Sequence, residues 1–320
     1  MSDDIQGPNS PYSNPIAVLL AGGVGGARAA KALTAAFPGD RLAVIGNIGD
    51  DERVYGTHVS ADLDTVVYTL AGIEGPHGWG VAGDTFAAMD RLSELGVDTA
   101  FRLGDRDLAT CLLRTEMLAS GKTISEATAA IRKGLGVDTV VLPASDDPVR
   151  TKIRVADGSW LDFQDYFVVR GHRDRVVDVE YAGAEHAAPA PGVIEAIRGA
   201  ELVIIAPSNP HLSIYPILAV PGVRKAISDK ARVIAVSPLF GGQALKGPAH
   251  EVMASLGLPP GTDGIVAAYD GLITDLVIDA GDAADIGKLP RPVLGHATDT
   301  RMRTADEGHR FSAWFQETFT

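Results

Sequence analysis

Short apolar runs, each closed by a cluster of Gly, Asp, Ser or Asn, recur along this 320-residue chain. The run at 16–20 (IAVLL) leads into Gly22-Gly23-Val24-Gly25-Gly26-Ala27-Arg28, and an alanine-rich stretch follows. An apolar run of that length bounded by turn residues reads as a buried strand, and the stretch after the glycines as a helix. Residues 42–48 predict a second strand, closed by Gly49-Asp50-Asp51. Helices are expected over 62–70, with Ser60 as N-cap, over 84–95, and over 107–118 from the spacing of Leu108, Leu112, Leu113 and Met117. Thr123-Ile124-Ser125-Glu126 is a capping box opening a helix through Lys133, which Gly134 and Gly136 close. A strand at 139–142 feeds a polar loop, Ser145-Asp146-Asp147-Pro148. The segments 152–155, 160–163 and 166–169 then read as a short antiparallel meander.

Strand–helix alternation returns after Pro191. Strands at 202–206, 233–236 and 276–279 are expected, the first followed by Pro207-Ser208-Asn209-Pro210 and the second by Ser237-Pro238-Leu239-Phe240. A terminal helix covers 304–319. The pattern predicts an α/β fold with a doubly wound, mostly parallel, Rossmann-like sheet, whose ligands bind where the strands end. One domain over 16–320 is expected, with a smaller α/β lobe inserted around 105–190. The polar stretch 1–15 carries Asp3 and Asp4 and no basic region, and reads as a disordered leader.

The glycine stretch is the strongest chemical signal. Glycines let a backbone approach an anion closely, and a helix N-terminus presents free N–H groups. Counted from Gly23, a dinucleotide fingerprint needs a small residue at 28, where this chain has Arg28. A phosphate ligand suits that loop better than NAD, so Gly22, Gly23, Gly25, Gly26 and Arg28 are candidate phosphate contacts. The plain alternative is a tight turn with Arg28 solvated.

Charge narrows the partners. A net charge of −13 argues against a nucleic-acid or membrane-surface binder, so small-molecule substrates are expected. An anionic substrate then needs local arginines or a metal ion to overcome the field of the protein. The single cysteine, Cys111, fits a reducing cytoplasm. Asp50, Asp51, Asp62 and Asp64 follow a strand or open a helix. Carboxylates so placed either hold Mg²⁺ with substrate phosphate oxygens or simply offset a helix dipole. Arg102, Arg106 and Arg114 gather around Leu103-Gly104-Asp105-Arg106-Asp107, as structural ion pairs or as a phosphate fork. Ser208, Asn209 and Ser237 are either ligand contacts or ordinary turn residues. His58, between the two acid pairs, reads first as a structural histidine. Zinc spacing, a G-x-S-x-G elbow and a Walker-type loop are all missing.

Taken in order, AGGVGGAR, NIGDD, ADLDTVVYTLAG, LGDRDLAT, RTEML, LPASDDPVRT, FQDYFV, APSNPHLSI and SPLFGG resemble the 2-phospho-L-lactate and phosphoenolpyruvate transferases of coenzyme F420 biosynthesis. The likeness runs from about residue 16 to 250, more weakly to about 300. It implies transfer of a phospholactyl or phosphoenolpyruvyl group from a GMP-linked phosphoanhydride to the ribityl hydroxyl of the deazaflavin Fo, with Mg²⁺ as cofactor, in a homodimer. It implies Asp50 and Asp64 as catalytic and metal-binding groups, Asp62, Asp64 and Arg102 towards Fo, and Ser208 and Asn209 towards the guanine nucleotide. Two departures stand out: Cys111 where the family commonly has histidine, and Phe240 in place of a smaller aliphatic residue. Two other readings are a non-catalytic nucleotide-sugar-binding regulator and a nicotinamide-dependent oxidoreductase on a similar fold.

Overall fold

The computed structural model describes residues 15–245 and 247–320. The expected leader therefore lies almost wholly outside the described residues. Strands β1 (Ala17–Ala21) and β2 (Leu42–Gly46) are buried throughout and parallel, with Ala17 opposite Leu42. Continuous burial on both faces is why these segments read as unbroken apolar runs. Between them α1 (Gly23–Leu33) starts directly from the glycine loop.

After β2 the chain makes a hairpin, β3 (Glu52–Val54) and β4 (Thr57–Val59). Its turn residues Tyr55 and Gly56 have φ of 51° and 79°. Helices α2 (Ala61–Ala71), α3 (Ala87–Glu94), α4 (Asp105–Ala119) and α5 (Ile124–Gly134) follow, then β5 (Val140–Pro143). The capping box at Thr123 forms as expected, with Glu126 N–H on the Thr123 side chain.

Helix α3 starts later than the sequence suggests, because Asp84 serves a different helix. Its carboxylate accepts from the N–H groups of Arg106 and Asp107 at the start of α4. Asp105 returns the arrangement, accepting from the N–H groups of Ala87 and Ala88 at the start of α3. Each acid thus satisfies the open end of the other's helix.

A small antiparallel sheet, β6 (Arg150–Val155), β7 (Trp160–Asp162) and β8 (Val176–Ala182), has the order β7-β6-β8. Here the expected meander needs correction. Residues Asp165–Val169 form a π-helical turn, and the third strand is β8. The four-residue spacing of Phe163 and Phe167 explains the difference: their rings stack at 5.3 Å, a contact that a helical turn makes and a strand does not.

Strands β9 (Leu202–Ile205), β10 (Val233–Val236), the short hairpin β11 (Leu239–Phe240) and β12 (Gln243–Ala244), β13 (Asp275–Asp279) and β14 (Leu294–Thr298) complete the chain before the helix Ala305–Phe319. The main sheet has seven strands in the order β14-β13-β10-β9-β1-β2-β5, all parallel. This is the doubly wound α/β fold. The order reverses between β1 and β9, the switch point at which sheets of this kind bind their ligands. Phe311, Phe315 and Phe319 of the last helix pack with Phe37 beyond α1, closing the main core on that side.

Candidate active site

The glycine loop leaves β1 at the point where the strand order reverses, and the Ser208 loop leaves β9 beside it. The two are locked together. Ser208 Oγ donates to Gly22 O at 2.7 Å, and Gly22 N–H points back at the same oxygen at 3.4 Å. Contact explains the glycines as much as any ligand does. A Cβ at Gly25 would lie 2.2 Å from Pro207 O, and one at Gly22 would lie 2.5 Å from Asp62 Oδ2. Gly23 has φ of 65°, a left-handed conformation that glycine adopts without strain. Arg28 is half-buried on α1. Asn209 accepts the N–H groups of His211 and Leu212, so its side-chain oxygen caps the next turn, while its Nδ2 is buried without a partner among the described residues.

The acids lie across from this loop. Asp50, Asp51, Asp62 and Asp64 are all buried. Asn47, fully buried, organises two of them: its Nδ2 donates to Asp62 Oδ2 at 2.9 Å and reaches Asp50 Oδ1 at 3.5 Å. Asp62 also faces the N–H of Gly23, in the glycine loop. Burial pushes the Asp62 carboxyl up to about 6, although Asn47 and the Gly23 N–H oppose the shift. Burial, then the negative charges of Asp62 and Asp51, raise Asp50 well above the usual carboxylate range. Asp51 Oδ2 is held by Ser60 Oγ at 2.8 Å and His58 Nε2 at 3.0 Å, while its Oδ1 is buried with no partner among the described residues. Ser60 therefore stands at the N-cap of α2 but spends its hydroxyl on Asp51.

Asp64 turns the other way. Residues two apart on a helix point to opposite sides, so Asp62 meets the glycine loop and Asp64 meets α4. There Asp64 Oδ1 pairs with Arg114, which is 1% exposed and also donates to His58 O at 3.3 Å. Asp64 Oδ2 is buried with no partner among the described residues. Asp107 lies close by, accepting from Tyr68 OH at 2.9 Å, and burial lifts its carboxyl to about 6. Cys111 completes this group: one ligand-type atom from each of Asp64, Asp107 and Cys111 falls within 4.8 Å of the others. Cys111 is fully buried, and burial, reinforced by Asp64 and Asp107, pushes its thiol up.

The structure thus joins Asp50 to Asp62, and Asp64 to Arg114. Asp62, expected towards the acceptor, sits against the glycine loop. Arg102 does not join either group. It is half-exposed, pairs with Asp90 at 2.7 Å and lies over the Phe86 ring at 5.0 Å. The guanidinium beside Asp64 belongs to Arg114, whose position in RTEML gave no sign of which acid it would meet. Asn47 also escaped the sequence reading, although it stands just ahead of Asp50. Arg114 pairs with Asp64, and among the described residues one oxygen of Asp51 and one of Asp64 have no partner. Buried carboxylate oxygens suit a hard divalent cation, and Asp50 and Asp62, joined through Asn47, are the two that would hold it.

Comparison with known proteins shows the family. The family model for 2-phospho-L-lactate transferase CofD matches residues 17–288. The phosphoenolpyruvate transferase of Kitasatospora aureofaciens is 43% identical over 310 residues, covering 90% of this chain and 96% of that protein. The 2-phospho-L-lactate transferase of Methanocaldococcus jannaschii is 37% identical over 301 residues, covering 93% and 96%. A solved structure from the UPF0052 family of Bacillus halodurans superposes with a TM-score of 0.58 at 18% identity, over 90% of this chain and 93% of that one, and shares the fold. The match spans the glycine loop, the buried acids and the Ser208 loop alike, and on it the chain is a transferase and belongs to the 2-phospho-L-lactate transferase CofD family.

Proposed function

We propose that this protein transfers a phosphorylated three-carbon acid from a GMP-linked phosphoanhydride to the terminal ribityl hydroxyl of the deazaflavin Fo, with release of GMP, in coenzyme F420 biosynthesis. The observation that carries the reading is buried Asp62, joined through Asn47 to Asp50, set against a glycine loop at the switch point of the sheet. A carboxylate at the mouth of a phosphate cradle repels an anionic donor by itself. It favours the donor once a cation lies between them, and Mg²⁺ bound to Asp50 and Asp62 would supply that neutralisation.

The remaining work is positioning. The N-terminus of α1 and the Asn209 amide orient the donor, whose nucleotide lies along the Ser208 loop. The hydroxyl oxygen of Fo attacks the acid-side phosphorus, and the anhydride bond to GMP breaks. GMP keeps the bridging oxygen. Asp64 Oδ2, unpartnered and buried, accepts the hydroxyl proton, and Arg114 on Oδ1 fixes the carboxylate in place. Burial raises the Asp64 carboxyl above its ordinary value, while Arg114 pulls it back. A carboxylate so held takes the proton without a covalent intermediate. Arg102 and the Phe86 face form the outer edge offered to the flat acceptor ring.

Relatives named phosphoenolpyruvate transferase are 40–43% identical to this chain, against 35–38% for relatives named 2-phospho-L-lactate transferase. This supports the enolpyruvyl donor. The test incubates the purified protein with Fo, Mg²⁺ and each GMP-linked donor, and reads the product by mass spectrometry. A phosphodiester of Fo and equimolar GMP are expected. No product with either donor overturns the reading.

A further inference from the structure

A cavity of about 210 Å³ reaches the acid cluster at Asp51 and His58. Ile48, Leu118 and Ile124 give its lining an apolar part, and Arg150 is the one arginine in it. Its connection to the reaction centre is covalent and short: Ile48 and Asp50 are separated only by Gly49. A Cβ at Gly49 would lie 2.4 Å from Thr151 Oγ1, so this loop is pressed directly onto the start of β6.

Arg150 is the unusual member. It is half-buried, and its Nη1 donates only to backbone, to Val149 O at 3.0 Å and Ile48 O at 3.5 Å. Among the described residues it forms no ion pair, in a protein of net charge −13. Asp51, Asp146 and Asp147 also line the cavity, and each accepts hydrogen bonds from other groups. Asp146 accepts from Ser125 N–H at 2.7 Å, and Asp147 from Ala188 N–H at 2.8 Å. Asp51 gives one oxygen to His58 and Ser60. The cavity therefore presents a guanidinium with open donors together with apolar side chains. That is the complement of a short carboxylic acid: a carboxylate for the fork and a carbon skeleton for the apolar side chains.

We infer that this cavity holds the three-carbon acid of the donor, with Arg150 pairing its carboxylate and Ile48, Leu118 and Ile124 packing its C3 end. The inference rests on the transferase reading and adds a specificity site to it. The donor then lies across the crevice, with its nucleotide at the Ser208 loop, its phosphates over Asp50 and Asp62, and its acid in the cavity. A methyl or methylene at C3 fits the apolar part of the lining. A hydroxymethyl group, as in a glycerate-derived donor, leaves a hydroxyl unpaired against it and is rejected.

The experiment compares the wild type with Arg150→Gln and Arg150→Lys. Arg150→Gln is expected to raise KM for the enolpyruvyl donor about ten-fold or more, the loss expected for a charge-assisted pair. KM for Fo and the calorimetric affinity for GDP should stay within about two-fold, and Arg150→Lys should recover part of the loss. Thermal unfolding confirms that each variant is folded. Unchanged donor KM in Arg150→Gln, with an active wild type, overturns the assignment. If the wild type turns over no donor, the transferase reading fails, and calorimetric titration with phosphoenolpyruvate alone still reads the cavity. Binding to the wild type that is lost in Arg150→Gln supports the site, and equal or absent binding in both overturns it.

Discussion

Asp64 in the first turn of α2 and Arg114 in the third turn of α4 form an ion pair with side chains only 6% and 1% exposed. A pair this deep is held together by what its loss would leave behind. Arg114→Leu removes the counter-charge and strands a carboxylate among buried groups. It should destabilise the fold by about 3–5 kcal/mol, read by urea unfolding. Asp64→Asn keeps the shape and a hydrogen-bond acceptor for Arg114, so it should lower turnover far more than stability. Equal damage to both quantities would remove Asp64 from the chemistry.

The buried acids give a definite pH dependence. Asp62 and Asp107 are both raised to about 6 by burial, from an ordinary value of 3.8. Between these values the folded protein holds protons that the unfolded chain has released. Stability from these groups is therefore full below about pH 4 and falls as pH rises through about 6. Metal-free wild type should lose unfolding free energy over that interval, and Asp62→Asn should flatten the slope. A slope of opposite sign in the wild type that Asp62→Asn leaves untouched would contradict this assignment.

Metal binding should reverse that loss. Mg²⁺ competes with protons for Asp50 and Asp62, so its stabilising effect should grow from pH 5.5 to pH 8. Thermal unfolding with and without Mg²⁺ at the two pH values measures it. A pH-independent shift, or full transfer activity in excess chelator, would rule out these ligands.

Gly25→Ala tests the contact between the two loops at the crevice. The new methyl would meet a backbone carbonyl, that of Pro207, which cannot rotate aside. A loss of about 1–3 kcal/mol is expected, together with weaker nucleotide binding as the loops part. Calorimetry with GDP and denaturant unfolding would show both effects. Tight GDP binding in this variant would show that the cradle does not depend on the contact.

Cys111 should be chemically quiet. Its thiol is buried, and nearby negative charge favours the protonated form. Cys111→Ala should keep most of the transferase activity, and alkylation of the native protein should be slow. Rapid alkylation that kills activity and is blocked by donor would place the thiol in the reaction.

How legible was this site in the sequence? The central strands were, because burial on both faces leaves little room for anything but apolar residues. The glycine loop and the four aspartates were visible as residue types. Their grouping was not, since the pairing of Asp50 with Asp62 depends on Asn47, and Asp64 meets a partner 50 residues away. The reciprocal capping by Asp84 and Asp105 is a tertiary exchange, and local pattern reads each acid only as a cap for its own helix. The hairpin at 52–59 escaped for a similar reason, since Tyr55 carries a left-handed backbone that its side chain does not advertise.

The hydrogen bonds between Gly22 and Ser208 tie positions 186 residues apart. During synthesis the first half of the sheet, including the glycine loop and all four aspartates, leaves the ribosome long before Ser208 exists. A nascent chain therefore carries a charged and incomplete crevice, with no wall on the β9 side. Substrate cannot rescue it at that stage, and stabilisation by nucleotide begins only when β9 docks beside β1. Truncation or slow translation upstream of residue 200 should then yield a species that GDP does not protect from proteolysis, whereas the finished chain is protected.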